Sequence, residues 1–228
     1  MRWLLWKDYR QNRLIVYTAL VLLLAPHLIA LYATCRTKFL GFPAGFEWRD
    51  YFGISSVWSL LISQVAVAYI GGNAIAGERV DRSSEFLFSL PIARGKLLAS
   101  KILLSLAITA AIWLTNVLIL HVAVMSRWSP TGPDYVLHEV LTVTGIAGLT
   151  FFCVAWCISS LIASPAYAAC GGLLTPLFVA GGIWFVDYLF ELHIDDNTVG
   201  VWWRGICLTL ALPCFALGTW HYLRRVEP

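Results

Sequence analysis

Charge is what this chain has least of. Asp, Glu, Lys and Arg make up 13% of its 228 residues, where a soluble domain carries about a quarter. A water-facing surface cannot be built from that composition, so most of the chain must face lipid. Several chemical motifs are missing too. GGNAIAGER at 71–79 spaces Gly72 and Gly77 like the glycines of a phosphate loop, but Glu78 and Arg79 stand where a Lys and a Ser or Thr are needed. A carboxylate there repels phosphate, which excludes nucleotide binding by this chain. No H-E-x-x-H pair offers a zinc site, and no G-x-S-x-G turn offers a serine nucleophile. The five histidines, at 27, 121, 138, 193 and 221, lack ligand spacing.

Apolar sequence is what fills the space. Hydrophobic residues reach 59%, and mean hydropathy is +0.74. Six runs are long enough to cross a hydrocarbon core of roughly 30 Å, which takes about 20 helical residues. They are Leu14–Thr34, Ile54–Ala76, Ile102–Met125, Val140–Ala163, Tyr167–Phe190 and Val201–Leu223. Their apolar residues are continuous rather than alternating, which predicts helices and not barrel strands. The expected fold is all-α: a polytopic membrane protein of six transmembrane helices, one domain over residues 1–228, with no separate soluble part.

The basic residues set the expected topology. Six spans place the N-terminal segment (Arg2, Lys7, Arg10, Arg13), the insert between spans two and three (Arg79, Arg82, Arg94, Lys96, Lys101) and the tail (Arg224, Arg225) on one side. The other side has Arg36, Lys38, Arg49, Arg127 and Arg204, so the division is eleven against five. The positive-inside rule then assigns both termini and the insert to the cytoplasm. YATC at 32–35 faintly resembles a lipoprotein cleavage box, but Tyr32 and Thr34 suit it poorly and the charged leader is long. The first span is therefore expected to stay.

In residues 1–13, MRWLLWKDYRQNR, tryptophans are mixed with basic residues. That composition predicts a helix at the membrane interface, with aromatics at headgroup depth and cations toward anionic lipid. Between spans four and five the connection at Ser164-Pro165 is almost absent, which predicts a tight antiparallel hairpin. The fifth span holds small residues (Ala166, Ala169, Cys170, Gly171, Gly172) suited to close helix packing in lipid, and its Pro176 and Gly181-Gly182 are candidate helix breaks.

Five of the six cysteines (153, 157, 170, 207 and 214) lie within spans, Cys35 being the exception, and read as small reduced hydrophobes. Cys153 and Cys157 are one helical turn apart, but no third ligand nearby supports a metal. The polar residues inside spans are Gln64, Asn73, Asn116 and His121. Such groups either line a substrate path or, more commonly, make interhelical hydrogen bonds averaging below about 1 kcal/mol. Asp187 and Arg204, near the outer ends of spans five and six, are expected to pair.

The charged insert GERVDRSSEFLFSLPIARGKLLASK, residues 77–101, stands between two apolar spans. Ser83 and Ser84 are N-cap types, and Glu85 adds negative charge to the first turn. Phe86, Leu87 and Leu90 share a face, and Pro91 ends the helix. A helix this short is marginal by itself and needs a membrane surface or protein groove.

The insert resembles the segment between spans two and three of ABC type-2 transporter permeases. The matching positions are Glu78, Glu85, Leu87, Leu90, Pro91, Arg94 and Lys101, with Ser83-Ser84 where the pattern often has Gly-Thr. LLWKDYRQNR also resembles the family's interfacial helix, and six spans with both termini inside cover the chain in the family's manner. The resemblance implies a permease domain whose insert contains a short cytoplasmic coupling helix docked on a separate ABC ATPase subunit, with Glu78, Glu85, Phe86, Leu87, Leu90, Pro91 and Arg94 as its coupling residues. ATP and magnesium would bind that partner, with no cofactor on this chain. A second permease subunit, identical or related, would complete the substrate path. The implied setting is the bilayer of a bacterial cytoplasmic (inner) membrane, the implied activity is export, and no nucleic acid is involved. The rival classes are a membrane-embedded redox or metal-handling protein using Cys153 and Cys157, and an assembly factor that recruits a partner without transport.

Overall fold

The computed structural model describes residues 2–40, 48–80, 93–125, 133–193 and 195–225. They form six long helices: α1 (Arg2–Leu40), α2 (Trp48–Val80), α3 (Arg94–Met125), α4 (Pro133–Leu161), α5 (Pro165–Phe190) and α6 (Asp196–Arg225). Each is long and apolar enough to cross a membrane. In hydrocarbon every backbone N–H and C=O must be paired within the chain, and a helix achieves this segment by segment. Each expected span falls on its own helix, the fourth running past the end of α4 into the turn before α5.

Residues 2–13 are the opening turns of α1, in line with the first span rather than a separate element. The 39 residues of α1 reach about 58 Å, far beyond the hydrocarbon thickness. Leu4, Asp8, Ala19, Leu23, His27 and Ala30 are buried, and their spacing puts them in one stripe. Trp3, Trp6, Arg10, Arg13 and Leu14 are exposed on other faces. The helix continues through Pro26. Ser59 of α2 donates to the Leu23 carbonyl at 2.9 Å, in the turn that the proline weakens.

Two helices form the centre. α2 packs against α1, α3, α4 and α5, and α4 packs against α2, α5 and α6. Small residues permit this. A Cβ on Gly72 would lie 2.8 Å from the Ala169 amide nitrogen and 2.9 Å from the Pro165 carbonyl of α5. One on Gly172 would lie 2.6 Å from the Phe151 carbonyl of α4. Dispersion contacts replace the hydrophobic drive that lipid cannot provide, and they require this close approach. Gly72, one of the apparent phosphate-loop glycines, is thus a packing residue.

The α4–α5 connection is the tight hairpin that the sequence predicts. Ser164 is extended and Pro165 opens α5, where its missing N–H costs nothing. α5 then runs unbroken through Pro176 and Gly181-Gly182. The Pro176 carbonyl accepts a hydrogen bond from Trp203 Nε1 of α6 at 3.0 Å, which ties the neighbouring helix to α5 at the proline. At the start of α6, the Thr198 hydroxyl and amide bind the Asp195 carboxylate at 2.5 Å and 3.3 Å. These bonds hold its pKa below the usual range.

One end of the bundle gathers the start of α1, the end of α2 and the start of α3, joined through Lys7, Glu78 and Lys101. Arg79 adds the end of α4 by donating to the Ser160 carbonyl at 2.6 Å. Arg94 adds the end of α6 by donating to the Leu223 carbonyl at 3.3 Å. The three segments rich in basic residues therefore share one end. Just inside it, Trp156, Tyr222, Ile75 and Leu98 form a buried cluster.

Candidate functional site

The largest buried polar assembly among the described residues lies at the base of the charged insert. Glu78 lies in the last turn of α2 and is 3% exposed; Asp8 is 2% exposed and Lys101 6%. Glu78 Oε1 accepts from Lys7 Nζ at 2.5 Å and lies 3.0 Å from Lys101 Nζ. Lys101 also donates to the Ala74 carbonyl at 2.5 Å. Lys7 lies 3.2 Å from Asp8 Oδ1, and Ser100 Oγ donates to Asp8 Oδ2 at 2.5 Å. Asn73 Nδ2 donates to Asn12 Oδ1 at 2.7 Å, and Asn12 Nδ2 to the Asp8 carbonyl at 2.8 Å.

Two carboxylates and two ammonium groups cancel in charge. Burial of one alone would cost several kcal/mol, so the four are retained as a unit. The cluster joins the first turns of α1, the last of α2 and the first of α3. Both ends of the insert are therefore clamped to each other and to α1. Tyr222 of α6 stands alongside at 1% exposure, its hydroxyl unpartnered among the described residues.

Of the residues singled out from the sequence, Glu78, Arg94 and Asn73 meet at this end. Glu85, Phe86, Leu87, Leu90 and Pro91 lie in 81–92, outside the described residues. Lys101, like Glu78 a position of the family pattern, meets Glu78 here, and the cluster adds Lys7, Asp8, Asn12 and Ser100. Lys7 drew notice only as a basic residue, and the partner it shares with Lys101 was not evident. Asp8 and Asn12 follow Leu4 at intervals of four along the stripe of α1, and an acid and an amide in register with an apolar face were the signal available.

The remaining polar span residues lie elsewhere. Asn116 is fully buried; its Oδ1 stands 3.3 Å from His27 Nε2, and its Nδ2 donates to the Ile112 carbonyl at 2.9 Å. His27 Nδ1 stands 2.9 Å from Ser55 Oγ. Ser, His and Asn together resemble a hydrolytic triad in composition. Ser55 sits inside a helix, however, where backbone N–H groups are already bonded and offer no oxyanion hole. Gln64 is 3% exposed, donates to the Leu60 carbonyl at 3.1 Å and packs on Gly148 of α4. His121 is exposed on α3.

The expected Asp187–Arg204 pair is replaced. Arg204 binds Glu139 of α4, because α6 lies mainly against α4 and only lightly against α5. All six thiols are free, and Cys157 meets Cys214 of α6. Among the described residues no three His, Cys, Asp or Glu side chains converge as a metal site would require.

The family model described as "ABC-2 family transporter protein" matches residues 5–191. No curated protein and no solved structure gives a match. The matched stretch includes the buried cluster, the whole insert and five of the six helices. The chain belongs to the ABC-2 transporter family and is a multi-pass membrane permease of an ABC system.

Proposed function

We propose that this permease is the membrane subunit of an ATP-driven exporter, moved by a separate cytoplasmic ABC ATPase. The 77–101 segment is its coupling element, with Glu85, Phe86, Leu87, Leu90 and Pro91 forming the docking helix and Glu78 and Arg94 its anchored ends. ATP and magnesium belong to the partner. A second permease subunit, identical or related, completes the path, and polar residues such as His121 contribute where they face it. The setting is a bacterial inner membrane with both termini cytoplasmic, in keeping with the eleven-to-five division of basic residues.

The observation that carries the reading is the Lys7–Glu78–Lys101 cluster. An insert with free ends would absorb the motion of its partner. Here Glu78 and Lys101 hold the two ends together at 3.0 Å, and Lys7 ties them to α1 at 2.5 Å. A push on the insert therefore loads three helices together. ATP contacts that differ between two states of the partner would shift the helices between two arrangements.

The test is recovery of the tagged full chain from its native membrane in mild detergent, beside Leu87→Asp. A phosphate-loop ATPase retained by the wild type and lost by the variant supports the reading. An ATPase retained by both overturns the docking role of Leu87. No ATPase with either overturns ATP-driven transport and returns the redox or assembly-factor classes.

A further inference from the structure

We propose that the groove between α1 and α3 at the charged end is a discrete site for one anionic phospholipid. The groove encloses about 530 Å³ and is lined by Leu5, Trp6, Tyr9, Leu103, Leu104 and Ala107. Its walls are apolar apart from the tips of Trp6 and Tyr9, whose rings stand 5.8 Å apart. Such rings favour the headgroup boundary, where one end is wet and the other in hydrocarbon.

Charge complementarity selects the occupant. Arg13 follows Tyr9 by four residues and Trp6 by seven, so it falls on the arc of α1 that forms the groove. Arg10 follows Trp6 by four and stands at the rim. Both are exposed, and neither has an ion-pair partner among the described residues. The nearby carboxylates, Asp8 and Glu78, are turned inward and neutralised by lysines. Among the described residues, the outer face here is thus cationic without an acidic neighbour.

Helix geometry tilts both arginine side chains back toward the N-terminal turns, where the groove lies. Their long stems lie along apolar surface while the guanidinium groups reach phosphate depth. A guanidinium matches phosphate oxygens with paired donors. The phosphate sits at the mouth of the groove on the back-tilted Arg10 and Arg13, and the glycerol and upper acyl segment follow the Leu103, Leu104 and Ala107 wall toward the membrane interior. Lys7, adjacent in sequence, is committed to Glu78 and takes no part.

The experiment is native mass spectrometry of the full chain from nanodiscs of equal phosphatidylglycerol and phosphatidylcholine. The wild type should retain one phosphatidylglycerol per chain, about tenfold in preference. Arg10→Gln with Arg13→Gln should abolish the preference. Ala107→Phe, which fills the groove and leaves both arginines, should cut phosphatidylglycerol retention severalfold, with Ala107→Leu as the milder filling should phenylalanine prevent folding. Equal retention of both lipids by the wild type overturns the site. So does an undiminished preference in the arginine variant. Undiminished retention in the filled variant shows diffuse surface attraction and overturns the groove. No ATPase enters these measurements, so their outcome is independent of the transport reading.

Discussion

Glu78 and Lys101 stand 3.0 Å apart and close residues 79–100 into a loop with a buried ionic base. Neither is more than 6% exposed, so their attraction is little screened by salt. Their pairing gives a charged insert a fixed attachment to a lipid-solvated bundle.

Breaking that base should destabilise the protein. Lys101→Met removes one of the two cations described beside buried Glu78 and should cost about 3 kcal/mol. Glu78→Met with Lys101→Met replaces the pair by apolar groups and should recover most of the loss, since Lys7 keeps Asp8. Thermal unfolding in detergent reads both effects. Equal destabilisation by the single and double variants would show that the pair does not act as a unit.

Charge on the docking face should separate partner binding from folding. Phe86→Asp and Leu87→Asp should each lose the ATPase while unfolding at the wild-type temperature. Co-purification and a melting curve on the same preparation check this. Loss of the partner only in variants that also melt early would remove the support for a docking surface.

Gly72→Val should overpack the α2–α5 contact, because its Cβ would lie within 3 Å of α5 backbone atoms. A cost of about 3 kcal/mol is expected. Gly53→Ala serves as the control, since a Cβ there meets nothing within 4 Å. Equal melting temperatures for both variants would show that the close approach is not needed.

Asn116→Leu should cost about 1 kcal/mol by leaving a His27 nitrogen unpaired, with ATPase retention unchanged. A transport defect without loss of stability would instead place Asn116 on the substrate path.

Much of the architecture was legible because lipid imposes simple rules. Hydropathy alone gave six spans, Ser164-Pro165 gave the hairpin, and the basic segments meet at one end as their spacing requires. What sequence could not give was rotation about each helix axis. Arg204 could face α5 or α4, and only packing selects Glu139 over Asp187. The same limit hid the meeting of Lys7, Glu78 and Lys101 from three different helices. Pro176 and Gly181-Gly182 pointed to a break in α5, but a helix in lipid has no water to receive freed backbone groups, and neighbouring helices sustain it. Asn116 and Gln64 were visible as polar residues in spans, yet their partners His27 and Gly148 depend on which faces α1 and α4 present.

The most direct test of the central claim is ATP turnover by the co-purified ATPase, alone and bound to this chain. Coupling through the clamped insert predicts that the wild-type chain changes turnover severalfold. The Glu78→Met/Lys101→Met chain should bind the ATPase equally and leave turnover at the rate of the ATPase alone. Turnover by that complex equal to wild type would contradict the account.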